Sequence, residues 1–279
     1  DFNIIKSSLH LISYARKNRG IFLAILAISW FWFLGASYLT QFPNFSKQVL
    51  NGDPSLVTLL LAIFTLGIGF GSLLCEKLSR RQVELGIVPI GALGMTLFGI
   101  DLYLSIPTDL LELESWSTFI RHSDNWKLLI DLAGIGIFGG IFIVPLYAYI
   151  QLRVEEEYRA RIIGVINIIN AFFLVASGLV AMVLLGGFDL SIAEFFLVIS
   201  IMNIVVSLYI FYQVDEFSIR FIVWVLTNII YRVKEEGRDN IPEDGAAVLV
   251  SNHVSFVDAL LIASTSPRPI RFVMDHNIF

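Results

Sequence analysis

Asn252, His253, Ser255 and Asp258 stand together in the run SNHVSFVDA. A neutral imidazole can take a proton from a hydroxyl. It does so best when a carboxylate holds its other ring nitrogen and stabilises the imidazolium. His253 is therefore the candidate general base and Asp258 its partner. Asn252 and Ser255 are candidate substrate contacts. A strand ending at His253, followed by a helix turn bearing Asp258, would bring the pair together. No G-x-S-x-G nucleophile elbow stands here, so the simpler chemistry is a base acting directly on the hydroxyl of an acceptor. The competing reading is a histidine that ends a core strand beside an unrelated helix-start aspartate. The whole pattern, with apolar AAVLVSN before it and FVDALLIAS after, favours chemistry.

A second set of polar residues lies where the chain is otherwise apolar. Asp101, Asp131, Asn167 and Asn170 interrupt long hydrophobic runs. Ionisable groups in such runs are functional candidates by default. Asn167 and Asn170 are read first as hydrogen bonds between helices and second as substrate contacts. In GSLLCEKLSRR, Glu76 and the basic residues Arg80 and Arg81 occupy one short loop. Acid and guanidinium can pair there across helix ends and hold one state of a moving bundle. A loop that merely carries positive charge would need only the arginines. VEEEYRARIIG reads as a solvated turn and helix start. No metal site is expected.

The elements that must position these residues are mostly membrane helices. Of 279 residues, 56% are hydrophobic and only 15% charged, against about 25% charged in soluble domains. Mean hydropathy is +0.77. The formal charge of −5 gives no basis for a nucleic-acid partner. Six runs reach the roughly 20 residues a bilayer span needs: 20–40, 55–75, 85–106, 128–150, 162–185 and 192–214. Lys and Arg concentrate before the first run and after the second and fourth, which places those loops and the C-terminal tail in the cytoplasm. Aromatics crowd SWFWFLGASYLTQFPNF, some of them as an interfacial belt. Pro89 and Pro145 fall inside spans three and four and are expected to kink them. Gly134, Gly136 and Gly139 match G-x-G-x-x-G but lie within a span, so they predict close helix packing rather than a dinucleotide site. Gly67 and Gly71 have the same explanation. Cys75, the single cysteine, reads as a packing residue.

Beyond residue 214 the composition turns amphipathic and then polar. NIPEDG is turn chemistry. AAVLVSN predicts a buried strand, FVDALLIAS a helix and PIRFVM another strand, the opening of an α/β domain. The expected division is a transmembrane part over 1–214 and a second domain beginning at 215. The chain opens on Asp1 and closes on DHNIF, and a segment of a longer protein is the expectation.

NHVSFVD resembles the N-H-x-x-x-x-D block of the glycerolipid acyltransferases, the family of 1-acylglycerol-3-phosphate acyltransferase. The preceding VKEEGRDNIPEDGAAVLVSN resembles that family's approach to the block, and PIRFVMDHNIF the start of its second block. The resemblance implies that His253 is general base and Asp258 its partner. It implies acyl-carrier protein or acyl-CoA as acyl donor, with no resident cofactor. That family's proline-glutamate-glycine block, which recognises the acceptor phosphate, does not occur in this chain. The first 214 residues resemble the C-terminal six-helix half of a major facilitator superfamily transporter of the lysophospholipid type, carried by the six spans, the loop at Glu76 and ISWFWFLGASYLTQFPNF. The six spans of the other half are missing, so this segment alone is expected neither to transport nor to acylate. The implied whole is a mainly α membrane protein of a bacterial inner membrane. Six transmembrane helices lead into the beginning of an α/β acyltransferase domain in the cytoplasm, and the partners are phospholipid membrane, lysophospholipid and acyl-carrier protein. The rival is an exporter of drugs or small metabolites with a non-catalytic tail.

Overall fold

The computed structural model describes residues 12–13, 15–78, 85–106, 115–213, 236–237, 240–242, 245–252, 255, 257–266 and 270–273. Among the described residues, six helical stretches are long and apolar enough to cross a membrane: Arg19–Val49, Pro54–Lys77, Leu85–Leu104, Ser123–Arg153, Glu156–Gly187 and Ile192–Gln213. Their α-helical bodies are α1 (Arg19–Asn44), α2 (Pro54–Leu78), α3 (Val88–Leu104), α5 (Trp126–Arg153), α6 (Glu156–Ala181) and α7 (Ile192–Gln213). A short α4 (Trp116–Arg121) lies between spans three and four, and α8 (Val257–Thr265) lies near the C-terminus. Two compact units emerge, Asp1–Val83 with Ile87–Ile210, and Glu84–Gly86 with Phe211–Phe279.

Lipid tails are as apolar as leucine, so membrane helices gain little by hiding apolar side chains from lipid. Close packing and hydrogen bonds must hold them together. The tightest contact joins α2 to α5. A Cβ on Gly67 would come within 2.7 Å of the Ala133 carbonyl oxygen, and one on Gly71 would collide with the Ile137 carbonyl. From the other side, a Cβ on Gly136 would strike the Phe64 carbonyl and one on Gly140 the Ile68 carbonyl. Two G-x-x-x-G faces therefore meet backbone to backbone. The neighbouring α3–α5 contact mixes two modes: Gly91 meets the Phe142 backbone, while Gly94 and Gly134 each seat an aromatic ring. Phe138 covers Gly94, Phe98 covers Gly134, and the two rings stack 5.6 Å apart. Gly139 receives the Phe31 ring of α1. All three glycines of G-x-G-x-x-G serve packing.

A second layer of order is aromatic. Tyr38, Phe42 and Phe45 of span one, Phe64 of α2 and Phe196 of α7 form one buried cluster. Tyr38 and Phe196 lie 4.7 Å apart, Phe45 and Phe196 5.2 Å, and Phe42 meets Phe64 edge-to-face at 5.6 Å. Such pairs contribute about 0.5–1.5 kcal/mol each. The aromatics of span one are thus largely core, although Trp32 is exposed.

The turns between spans one and two and between spans five and six share a backbone solution. Each helix closes through a π turn, Phe45–Val49 and Met182–Gly187. The Leu50 N–H donates to the Phe45 carbonyl and the Gly52 N–H to that of Ser46; in the sister turn Phe188 donates to Val183 and Leu190 to Leu184. Asn51 (φ 46°) and Asp189 (φ 52°) then take the left-handed conformation, which Asn and Asp tolerate better than most residues. Asp53 caps α2, accepting the Ser55 N–H at 2.8 Å and the Leu56 N–H at 3.2 Å. The Ser55 hydroxyl bonded to Asp53 holds that carboxyl below its usual range. Ser191 and Glu194 cap α7 reciprocally.

Three expectations change. Pro89 sits in the first turn of α3 rather than inside it, where the missing N–H would be unpaired anyway; Pro145 does lie inside α5. AAVLVSN is not a buried strand: residues 246–252 form no ladder, and Val248 and Val250 are 90% and 91% exposed. Residues 270–273 likewise form no strand. A strand needs a neighbour to accept its backbone bonds, and no strand partner occurs among the described residues. FVDALLIAS does form the helix α8.

Gly71→Leu should lower thermal stability in detergent by about 1–3 kcal/mol or more through overpacking. Gly69→Leu, where a Cβ meets nothing within 4 Å, should leave it unchanged. Asp53 stabilises the α2 start only while ionised. That contribution is present above the unfolded carboxylate pKa and is lost as pH falls through its lower folded value. Asp53→Ala at neutral pH should speed amide exchange at Ser55 and Leu56.

Candidate functional site

Among the described residues, polar side chains of interest gather in four places. The first lies within the bundle and ties three spans together. Asn203 of α7 is buried. Its side-chain oxygen accepts the Trp30 indole N–H of α1 at 2.8 Å. Its amide nitrogen donates to the Ala92 carbonyl at 2.9 Å and the Thr96 hydroxyl at 3.0 Å, both on α3. Tyr38 and Ser200 join α1 to α7 a little farther along, at 3.0 Å. Ser200 also donates to its own helix at the Phe196 carbonyl, so the Tyr38 hydroxyl is the donor of that pair. Beside them lies a cavity of about 20 Å³, edged by Phe31, Phe64, Met95, Ile135, Tyr38 and Asn203. It has room for about one water and none for an acyl chain. These groups are satisfied by one another and act as rivets.

Asn170 of α6 accepts the Ser29 hydroxyl of α1 at 2.7 Å, an interhelical bond as its position in an apolar run implied. Asn167 is exposed on the same helix.

The second place is where α3 ends and α5 begins. Asp131 is 1% exposed and meets the Ser105 hydroxyl at 2.5 Å. Asp101 pairs instead with Lys127 at 2.9 Å, both partly exposed. The two acids of spans three and four therefore have different surroundings, one dry and one wet.

The third place is the opposite end of the bundle. Glu76 is exposed in the last turn of α2, while Arg80 and Arg81 lie outside the described residues. Arg153 lies over the Tyr149 ring at 5.8 Å, Arg16 over Phe22 and Arg161 over Tyr158 at 5.4 Å each. Arg159 reaches the Val154 carbonyl and Glu156. Cys75 is a buried free thiol, the packing residue its apolar run implied.

The fourth place is the start of α8. Asp258 sits in its first turn. The Ser255 N–H donates to Asp258 Oδ2 at 2.8 Å, and the Asp258 N–H returns to the Ser255 carbonyl at 2.9 Å. The Ser255 hydroxyl accepts the Val257 N–H at 3.4 Å. This reciprocal cap fixes the carboxylate against the loop that precedes it. Asn252 is exposed on that loop, and His253 lies outside the described residues.

Sequence reasoning missed Asn203, Trp30 and the Ser105–Asp131 contact. An amide inside the apolar run IMNIVVS was a usable signal for the first. Nothing in SWFWF distinguished Trp30 from Trp32, and Ser105 looked like a loop residue.

The model of the family described as Major Facilitator Superfamily matches residues 3–176, more than half the chain. The model of a family described as Acyltransferase matches residues 232–279. No curated protein and no solved structure matches the chain.

Asn203→Leu removes the acceptor of Trp30 and the donor to α3. Interhelical bonds of this kind average about 0.6 kcal/mol, so a loss of about 1–2 kcal/mol is expected in denaturant unfolding. Ser29→Ala, which removes one bond, should cost about half as much.

Proposed function

The chain belongs to the Major Facilitator Superfamily, and from that premise we propose that its spans form half of a lysophospholipid transporter joined to a lysophospholipid acyltransferase. The observation that carries this reading is the junction itself: a facilitator-type bundle runs within one chain into an acyltransferase-family segment bearing Asn252-His253 and Asp258. A transporter that delivers a lysolipid and an enzyme that re-acylates it use the same molecule in succession. The proposed setting is a bacterial inner membrane with the C-terminal domain in the cytoplasm, where acyl thioesters are made. The concentration of Lys and Arg before span one and after spans two and four supports that orientation.

In the proposed reaction His253 takes the proton of the free glycerol hydroxyl. The oxygen attacks the carbonyl carbon of an acyl thioester carried on acyl-carrier protein or coenzyme A. The tetrahedral intermediate collapses, the carbon–sulfur bond breaks, and the leaving thiolate takes the proton back from the imidazolium. The products are diacyl phospholipid and free thiol. Asp258 orients His253 and stabilises its charged form. The bond from the Ser255 N–H supports that role, because it fixes the carboxylate relative to Ser255, two positions after the histidine in sequence. Asn252, exposed on that loop, and Ser255 are the proposed contacts to the acceptor. For transport, Asp101 and Asp131 remain the strongest candidates in the bundle. Glu76 and Arg80 are proposed to pair at the far end. Asn170 acts structurally through Ser29, and Asn167 is available on an exposed face.

The whole encoded protein, reconstituted in vesicles, should take up labelled lysophosphatidylethanolamine and convert it to diacyl product when acyl-carrier-protein thioester is supplied on the acyltransferase side. His253→Ala should lower acylation by about 10²–10⁴-fold while uptake continues and unmodified lysolipid accumulates. Acylation retained in that variant rules out His253 as the base. Absence of lysolipid uptake in the wild type rules out the transport half and favours export of another solute.

A further inference from the structure

The Ser105 hydroxyl lies between two acceptors. Its oxygen is 2.7 Å from the Asp101 backbone carbonyl and 2.5 Å from Asp131 Oδ2. A serine hydroxyl has one proton and can donate it once. The bond to Asp101 follows helix geometry, since a serine side chain reaches the carbonyl four residues back. It is needed there because the Ser105 N–H has turned to the Leu102 carbonyl instead, at 3.3 Å. If the hydroxyl's proton is committed to Asp101, the short contact to Asp131 must be made by a proton from Asp131.

The count of charges leads to the same place. Among the described residues here, two carboxyl groups face one cation. Lys127 Nζ sits 2.9 Å from Asp101 Oδ1 and neutralises that group. Among the described residues, Asp131, 1% exposed, has no cation in ion-pair contact, since the contact of Lys127 goes to Asp101. A buried carboxylate without one is strongly disfavoured against its neutral acid. Among the described residues, the other charged groups of the packed elements are remote, exposed or occupied, Lys47 of the turn after α1 being exposed. Glu76 and Lys77 of α2 and Arg19 of α1 lie at the opposite ends of their helices, and Asp53 is held by Ser55 and Leu56. Arg121, His122 and Asp124, on α4 and the turn after it, are exposed.

We propose that Asp131 is held as the neutral acid and that its proton is a latch, joining the start of α5 to the end of α3 through Ser105. When the proton leaves, Asp131 becomes a buried anion close to the partly exposed Asp101 carboxylate. Ser105 must then donate to one acceptor and abandon the other. Either choice breaks a bond at the α3 end, and the two carboxylates repel. The device is a pH-sensitive closure of the bundle at this end. It goes beyond the transport and acylation reading and does not depend on which solute is carried.

Infrared spectroscopy of the whole protein in detergent tests the proton directly. At pH 7 the wild type should show the carbonyl stretch of a protonated buried carboxyl. Asp131→Asn should lose that band while the amide bands in the same spectrum remain those of folded helix. Ser105→Ala should shift it to higher wavenumber, because the acid loses its acceptor. Absence of the band at pH 7, its persistence in Asp131→Asn, or no shift in Ser105→Ala overturns the assignment. The latch is tested by probes attached to cysteines placed at Leu104 and Ile130, both exposed; Cys75 is buried and does not compete for label. Their separation should increase as pH is raised in the wild type and stay constant with Asp131→Asn. A separation independent of pH in the wild type overturns the latch. None of these readouts involves lysolipid, so failure of the transport reading leaves them intact.

Discussion

The bundle depends on how closely two helix backbones can approach where there is no water to drive them together. Gly67 and Gly71 on α2 and Gly136 and Gly140 on α5 remove the four side chains that would keep those backbones apart. Once the axes are that close, the carbonyls of each helix lie against the Cα atoms of the other, and contacts of that type add modest attraction. Glycines also shape the contacts that α5 makes with α3 and α1. Phe98 and Phe138 can stack only because Gly94 and Gly134 leave room for their rings, and Phe31 reaches α5 over Gly139 and against Phe142.

Hydrogen bonds then select one arrangement among the many that packing alone would tolerate. Asn203 can satisfy its amide only with Trp30 on one side and Ala92 and Thr96 on the other, so it sets the rotation of α7 relative to α1 and α3. Ser29 with Asn170 does the same for α1 and α6. An unsatisfied amide in this setting is costly, which makes these bonds specific even though each is individually weak. Asp131 and Asp101 show how such satisfaction can be conditional. One carboxyl has a cation and solvent; the other has a hydroxyl that is already spoken for.

The C-terminal segment obeys a different logic. α8 forms because its own first turn is capped by Ser255 and Asp258, a local interaction that needs no distant partner. The apolar residues 246–250 have no such local solution. Strand formation requires a neighbouring strand, and a helix-like cap cannot substitute. The contrast explains why the helix of this segment appears and its expected strands do not.

What the sequence determined by itself were the properties that depend on local composition and spacing. The six spans were legible because length and hydropathy decide whether a helix can cross a bilayer. The packing role of the glycines was legible because a G-x-x-x-G face inside a span has little else to do. The Asn252-His253 and Asp258 pattern was legible as residue types, within the segment 232–279 that the acyltransferase model matches. Only the tertiary structure decided which polar residues meet. That Asn203 bonds Trp30 across 173 positions, that Asp131 rather than Asp101 is the dry acid, and that Ser105 belongs to both could not be read from neighbours in the chain. The reason is geometric: hydropathy reports how deep a residue is placed, but the rotation of each helix about its axis sets its partners, and that rotation is fixed by contacts between spans far apart in sequence.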